Sequence, residues 1–404
     1  MLCHLDTSNQ PESTSDGPAT PSISRHLHCL VDRFVGPVIL RVLSDRHWKR
    51  ASVFAVLLVS LFRAFPSYDA LATAYDKGTW RDAMVQVDDP FADMSRFFPD
   101  ESHQSKMTFR LTVPVLAHIF HLHRTGILVF SALLGIVLLY SVLTVAFKIT
   151  GSRKAAFFVC LAAACSWSGE TAFHELRGGY YDAAALCLLV LAATTESFPL
   201  TAITVFLAAW TDERALIASS FVFLLSISQA ERVGPRSFLA GKRAAILIAW
   251  AAYLATRVYL TAAHSLTVST GNVGLSVFRQ QTNVIPLGVW TGLGGGWLLV
   301  ACGIAALLLA RRYRMTAAFC GALGVTIGLG LLVLDVTRSM AYCLPAVFVG
   351  LSVLSRSQPL EETESLAVLS GIVSLIVPEY HVQGRTDLYW LYPLPIQAIR
   401  WLFP

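Results

Sequence analysis

The stretch GILVFSALLGIVLLYSVLTVAF, residues 126–147, runs for 22 positions without a charged residue. A helix needs about 20 apolar residues to cross a bilayer, so this segment reads as a membrane span. Ten more apolar runs begin near Ala51, Ala155, Tyr181, Leu200, Leu216, Ala244, Leu287, Met315, Met340 and Leu366. The pattern predicts an all-α, polytopic transmembrane helix bundle of about eleven spans. Two runs, Leu200–Trp210 and Leu366–Val377, are short for a full crossing. The whole chain agrees with this reading: of 404 residues 55% are hydrophobic and only 14% charged, and the mean hydropathy is +0.58. A soluble domain carries about 25% charged residues. The length is used up by spans, which excludes a large separate catalytic domain.

Basic residues orient the bundle. With strict alternation, the inside segments collect Arg41, Arg46, Lys49, Arg50, Lys148, Arg153, Lys154, Arg232, Arg236, Lys242, Arg243, Arg311, Arg312, Arg314 and Arg356. Short outside turns carry one arginine each, and residues 67–106 hold eight acids against four bases. This asymmetry predicts an inside N-terminus. It also accounts for the net charge of +5 without a nucleic-acid partner. Residues 1–49 read as a polar, then basic, cytoplasmic segment, without the short basic start and apolar core of a cleavable signal peptide. Residues 50–378 form the transmembrane domain, including an outside loop at 67–123. Residues 379–404 form an outside tail whose Trp390, Tyr392 and Trp401 suit the membrane interface. No asparagine in an outside segment sits in a glycosylation sequon, and the apolar runs are rich in Ala and Leu. A bacterial plasma membrane is the expected location.

Ionisable residues near span ends gather on the outside. Asp69 follows the first span, and Asp88 and Asp89 lie further along the loop. Arg110 sits in FRLTVP; His174, Glu175, Arg177, Tyr181 and Asp182 in HELRGGYYD; Asp212, Glu213 and Arg214 in TDER; then come Arg257, His264, Asp335 and Arg338. Charge at membrane depth pairs or faces a wet cavity. Two readings therefore stand: one outward-opening polar site, or ion pairs that weld helices together. Within the loop, MTFRLTVPVLAHIFHLH sets Phe109, Val113, Leu116 and Phe120 on one helical face, which predicts an interfacial helix with Pro114 at a kink or start. Arg110 would then either grip a phosphate with two parallel hydrogen bonds or snorkel from the interface.

Several motifs are absent or weak. His118, His121 and His123 lack the carboxylate or Cys partners of a metal site, so no cofactor is assigned and a divalent metal has no motif behind it. His174 and Glu175 are adjacent, unlike an HExxH zinc site. The run GLGGG at 292–296 lies in an apolar segment, where small residues mean close helix packing, not a phosphate loop. The eight cysteines fall in the inside tail or in spans, where none braces an outside loop.

The order of parts between residues 50 and 260 resembles the polytopic GT-C glycosyltransferases, which draw sugars from polyprenyl- or dolichyl-phosphate carriers. The resemblance rests on an early loop acid (SYDALATAYDKGTW), the pattern FRLTVP, an RGG at a span start (LRGGYYDAAALCLLVLA) and the charged turn TDERALIA; the C-terminal third is generic. It implies a first-loop carboxylate, best matched by Asp69, acting as general base on an acceptor hydroxyl. It also implies arginines among Arg110, Arg177 and Arg214 that neutralise the leaving phosphate. The sequence departs from the family where Asp69 is followed by Ala70, so no acid pair stands there. Asp88 and Asp89 are paired but come later. The implied partners are a lipid-linked sugar donor and membrane lipids. A transporter or flippase for an anionic or lipid-linked substrate, and a catalytically inactive scaffold related to such enzymes, are the alternatives.

Overall fold

The computed structural model describes residues 36–66, 68, 78–100, 102–230, 239–269, 271, 273–383 and 387–403. It is mostly helical, and each of the eleven apolar runs lies on a helix or on a pair of helices. Among the described residues four helical stretches are long and apolar enough to cross a membrane: Arg124–Thr150, Gly241–His264, Tyr313–Leu331 and Val336–Ser357. The number rises to six if two broken pairs each count once. Arg153–Ala164 bends by 54° into Trp167–His174, and Ile285–Leu293 bends by 88° into Gly296–Leu309. The others are shorter. Asp182–Thr194, with 13 residues, extends only about 20 Å, against a hydrocarbon core of about 30 Å.

Local chemistry fixes the breaks. The longest helix ends at Gly151, whose φ of 69° supplies the left-handed cap that side chains resist. Ser152 starts the next helix by accepting a hydrogen bond from the Ala155 N–H at 3.1 Å. The run 292–296 forms the sharp bend after Leu293. A Cβ on Gly295 would lie 2.0 Å from the Ser370 carbonyl oxygen, so these glycines serve close packing as expected. Gly303 and Gly350 likewise face each other across Gly296–Leu309 and Leu344–Ser357, letting the two backbones touch.

Two parts depart from the hydropathy reading. Segment 67–123 is no simple loop: helices Thr79–Asp88, Met94–Phe97 and Thr112–Ile119 enclose a small core of Trp80, Val87, Met94, Met107 and Val113, joined to Ile127 and Tyr181. Pro114 stands in the first turn of Thr112–Ile119, marking its start. The expected apolar face is split. Phe109 and Val113 are buried, whereas Phe120 is exposed beside Ile119. The tail is not all-α either. Strands Tyr380–Gln383 and Asp387–Trp390 pair antiparallel, Tyr380 opposite Trp390, ahead of helix Leu394–Leu402. Aromatic and β-branched residues in the two strands favour this pairing. It closes over the bundle: the Val382 N–H donates to Thr337 Oγ1 (3.1 Å), and the Phe65 N–H to the Tyr392 carbonyl (2.9 Å).

Candidate functional site

Three sequence segments meet at one end of the helices. Asp182 begins the helix Asp182–Thr194, Asp212 caps Glu213–Ser228, and Arg338 lies on the short helix Val336–Ala341. The cap explains the geometry of TDER. Asp212 Oδ1 accepts the Arg214 backbone N–H at 3.0 Å, which folds the Arg214 side chain back onto the same carboxylate through Nε (2.8 Å) and Nη2 (2.7 Å). From there Arg214 Nη2 reaches Asp182 Oδ1 at 2.9 Å, and Nη1 reaches Ser339 Oγ at 3.2 Å. Asp182 receives two further donors, Arg338 through Nε (2.8 Å) and the Tyr342 hydroxyl (2.9 Å). Arg338 also pairs with Asp335 at 3.2 Å and lies over the Tyr180 ring at 4.1 Å.

Arg110 joins this core from the loop subdomain. Its Nη2 stands 3.2 Å from Asp212 Oδ2, and its Nη1 makes only long contacts of 3.5 Å to His103 and to the Gly179 carbonyl. Arg177 is clamped by both oxygens of Glu175 (2.7 and 2.6 Å) and also lies over the Tyr180 ring, at 4.2 Å. The RGG turn holds this rim in place. The Gly178 N–H donates to Thr79 Oγ1 (3.1 Å), and Gly179, at φ 84°, presses on Met107 where any Cβ would sit 2.5 Å from sulfur. His103 stacks on Tyr180 with centroids 4.0 Å apart. Its burial, and then the neighbouring Arg110 and Arg338 guanidiniums, hold its pKa well below the usual histidine range, so the ring is neutral at pH 7.

Four guanidiniums (Arg110, Arg177, Arg214, Arg338) thus face four carboxylates (Glu175, Asp182, Asp212, Asp335). The set neutralises itself, which is the condition for burying it. Arg338 is only 2% exposed and saturated by Asp182, whereas Arg110 is 14% exposed and loosely held. The inner pairs join helices, and Arg110 is held by fewer and longer contacts than Arg338. No protein-family model, curated protein or solved structure matches the chain.

The other expected residues fall elsewhere. Arg257 pairs with Glu213 and the Tyr253 hydroxyl (2.6 Å) and covers Phe109 at 4.3 Å, a neighbouring cluster. Tyr181 is buried in the core of the loop subdomain and makes no hydrogen bond to the polar network. The His174 ring sits between the Glu170 and Ala64 carbonyls, 3.1 Å from each, a brace between helices. Asp88 and Asp89 are exposed where their helix ends, and Asp89 accepts the Phe91 N–H at 3.2 Å. The ion network does not include them. Asp69 lies outside the described residues. Among the described residues no three His, Cys, Asp or Glu side chains gather as a metal site.

One cluster escaped the sequence reading. Arg63 Nη1 bridges Glu170 (3.0 Å) and Glu379 (2.8 Å), while Nε and Nη2 donate to the Leu375 and Val377 carbonyls at 3.1 and 2.7 Å. On the first strand of the hairpin His381 stacks on Trp167 at 4.0 Å. Neither nitrogen of His381 has a protein partner, nor has Trp167 Nε1. The available signal was a charge inside an apolar run: Arg63 in ASVFAVLLVSLFRAF and Glu170 after Ala155. Tyr342 carried no such mark, because an aromatic ring in an apolar run looks like core, and His103 and Tyr180 stand in polar stretches, where a ring reads as loop.

Proposed function

We propose that the chain is an integral-membrane glycosyltransferase of the GT-C kind, moving a sugar from a polyprenyl-phosphate carrier to an acceptor on the outer face of a bacterial plasma membrane. The observation that carries this reading is Arg110. It is the loosely held guanidinium on a loop subdomain, set against the self-neutralised Asp212–Arg214–Asp182–Arg338 network at one end of the helices. In the reaction an acceptor hydroxyl attacks the anomeric carbon, its proton passes to a loop carboxylate, and the bond from that carbon to the phosphate oxygen breaks. Asp69 is the proposed base, with Asp88 and Asp89 as the other loop acids. Arg110, assisted by Arg177, would neutralise the departing phosphate. In this reading all eleven apolar helical runs sit in the membrane, the N-terminus faces the cytoplasm, and Thr112–Ile119 lies at the interface with Ile119 and Phe120 toward lipid.

The test is transfer from a radiolabelled polyprenyl-phosphate sugar by the purified protein. General acid–base groups contribute about 10²–10⁴-fold, so Asp69→Asn should lower the rate at least a hundredfold. Arg110→Gln should lower it while the fold persists. Unchanged rates in both variants would remove the proposal.

A transporter for an anionic or lipid-linked substrate is the second reading, favoured by the two broken helix pairs, a feature of transporter binding sites. Substrate crossing sealed vesicles without any glycosyl transfer would decide for it.

A further inference from the structure

The consecutive helices Val336–Ala341 and Leu344–Ser357, which together make one candidate span, run from Arg338 in the ion network to Arg356 at the other end. At 1.5 Å per residue these arginines stand about 27 Å apart, close to the thickness of a hydrocarbon core. Around Arg356 the helices Glu213–Ser228, Gly296–Leu309 and Leu344–Ser357 stop, leaving a cavity of about 490 Å³. Its inner wall is apolar, with Ile227, Leu307, Met315 and Val353. Its polar wall includes Arg312, Arg356, Ser228 and Ser357, and among the described residues no carboxylate lines it. Arg356 is held in place by donating to the Gln229 and Ala230 carbonyls at the end of a helix, and among the described residues no acid of the cavity pairs with it.

We propose that this cavity binds a phosphate-bearing anion, supplied by the headgroup of an anionic phospholipid in the leaflet opposite the Arg110–Asp182 network. The two guanidiniums meet the phosphate, and the apolar wall meets the glycerol and upper acyl carbons. Basic pockets between helices at a membrane surface have this chemistry. The volume suits it as well: a bare phosphate would leave most of 490 Å³ and the whole apolar wall unused. The site does not depend on the enzyme reading, since it lies at the other end of the bundle.

The experiment is binding to the full-length protein in neutral detergent. Short-chain phosphatidylglycerol, phosphatidylcholine and inorganic phosphate are compared by thermal shift and native mass spectrometry. Phosphatidylglycerol should bind at least tenfold more tightly than phosphatidylcholine. Arg312→Gln, at an exposed rim residue, should weaken it about tenfold, and Met315→Trp, which fills the cavity, should abolish it. Arg356→Gln also strips a helix cap, so the other two variants carry the test if it does not fold. Phosphatidylglycerol binding without phosphate binding assigns the lipid source. Equal protection by phosphate, lost in the same variants, keeps the anion site and assigns a free anion. Phosphatidylglycerol binding that survives both variants, or its absence in the unmutated protein, overturns the proposal.

Discussion

Asp182 accepts hydrogen bonds from Arg214, Arg338 and Tyr342 while almost wholly buried, so it is the residue on which the network depends most. Asp182→Ala would strand the Arg338 guanidinium, and removing one partner of a buried pair costs about 3–5 kcal/mol. The expected result is a large fall in the thermal midpoint measured in detergent, with Asp182→Asn intermediate. Glycines give a sharper contrast. Gly295→Ala would drive a methyl into the Ser370 carbonyl and should cost about 1–3 kcal/mol. Gly321→Ala meets nothing within 4 Å in a helix interior and should be neutral or slightly stabilising. Equal midpoints for the two variants would contradict the close approach. At this scale the sequence showed which charges were present but not their pairing. Arg110, Arg177, Arg214 and Arg338 look alike in one dimension, and only the cap at Asp212 and the turn at Gly178 and Gly179 separate saturated guanidiniums from the loosely held one.

The C-terminal hairpin is the element whose chemistry depends on pH. Burial lowers the His381 imidazole from 6.5 to about 4, against the opposing pull of Glu175 and Asp335. His103 is depressed in the same direction. The unfolded chain therefore binds these protons first, and stability is complete above pH about 6.5 and falls as the pH drops toward 4. For His381 alone the loss is on the order of 3 kcal/mol. Thermal midpoints across pH 4–8 should show this slope, and His381→Gln should flatten it; an unaltered profile would show that the ring does not carry the effect. The hairpin itself was hard to read in sequence. YHVQ and DLYW are too short for an alternating pattern to stand out beside long apolar helices, and their pairing rests on tertiary contacts with Thr337. The loop helix was more legible, since the apolar spacing of residues 109–120 and Pro114 marked it, although Phe120 turned outward.

On the scale of the molecule, hydropathy located every apolar helix, because exclusion of charge over many residues is a property of the segment rather than of its neighbours. It did not separate full crossings from shorter helices. Lengths such as that of Asp182–Thr194 are set by the polar network that ends them, as Asp182 and Asp212 begin helices instead of lying inside them. The arrangement predicts two opposed faces. In a background where Cys3, Cys29 and exposed Cys320 are replaced by Ser, Asp89→Cys and Leu360→Cys should react with a membrane-impermeant thiol reagent from opposite sides of sealed vesicles. Labelling from one side alone would contradict the separation of the ion network from the Arg356 end.

The anchorage of Arg63 has a consequence for how the protein is made. Its partners Leu375, Val377 and Glu379 lie 312 to 316 positions further along the chain. At about 5–20 residues per second, the ribosome delivers them roughly 15–60 s after Arg63 has emerged. During that interval a guanidinium on the first apolar helix is without most of its final acceptors, and Glu170 is the earliest that can relieve it. Biogenesis thus closes like a clasp, with the helix Leu360–Ile376 and the residues just after it sealing what the first apolar helix left open. A messenger truncated before codon 375 should accordingly yield a product that membrane proteases clear faster than the full-length chain in pulse-chase labelling.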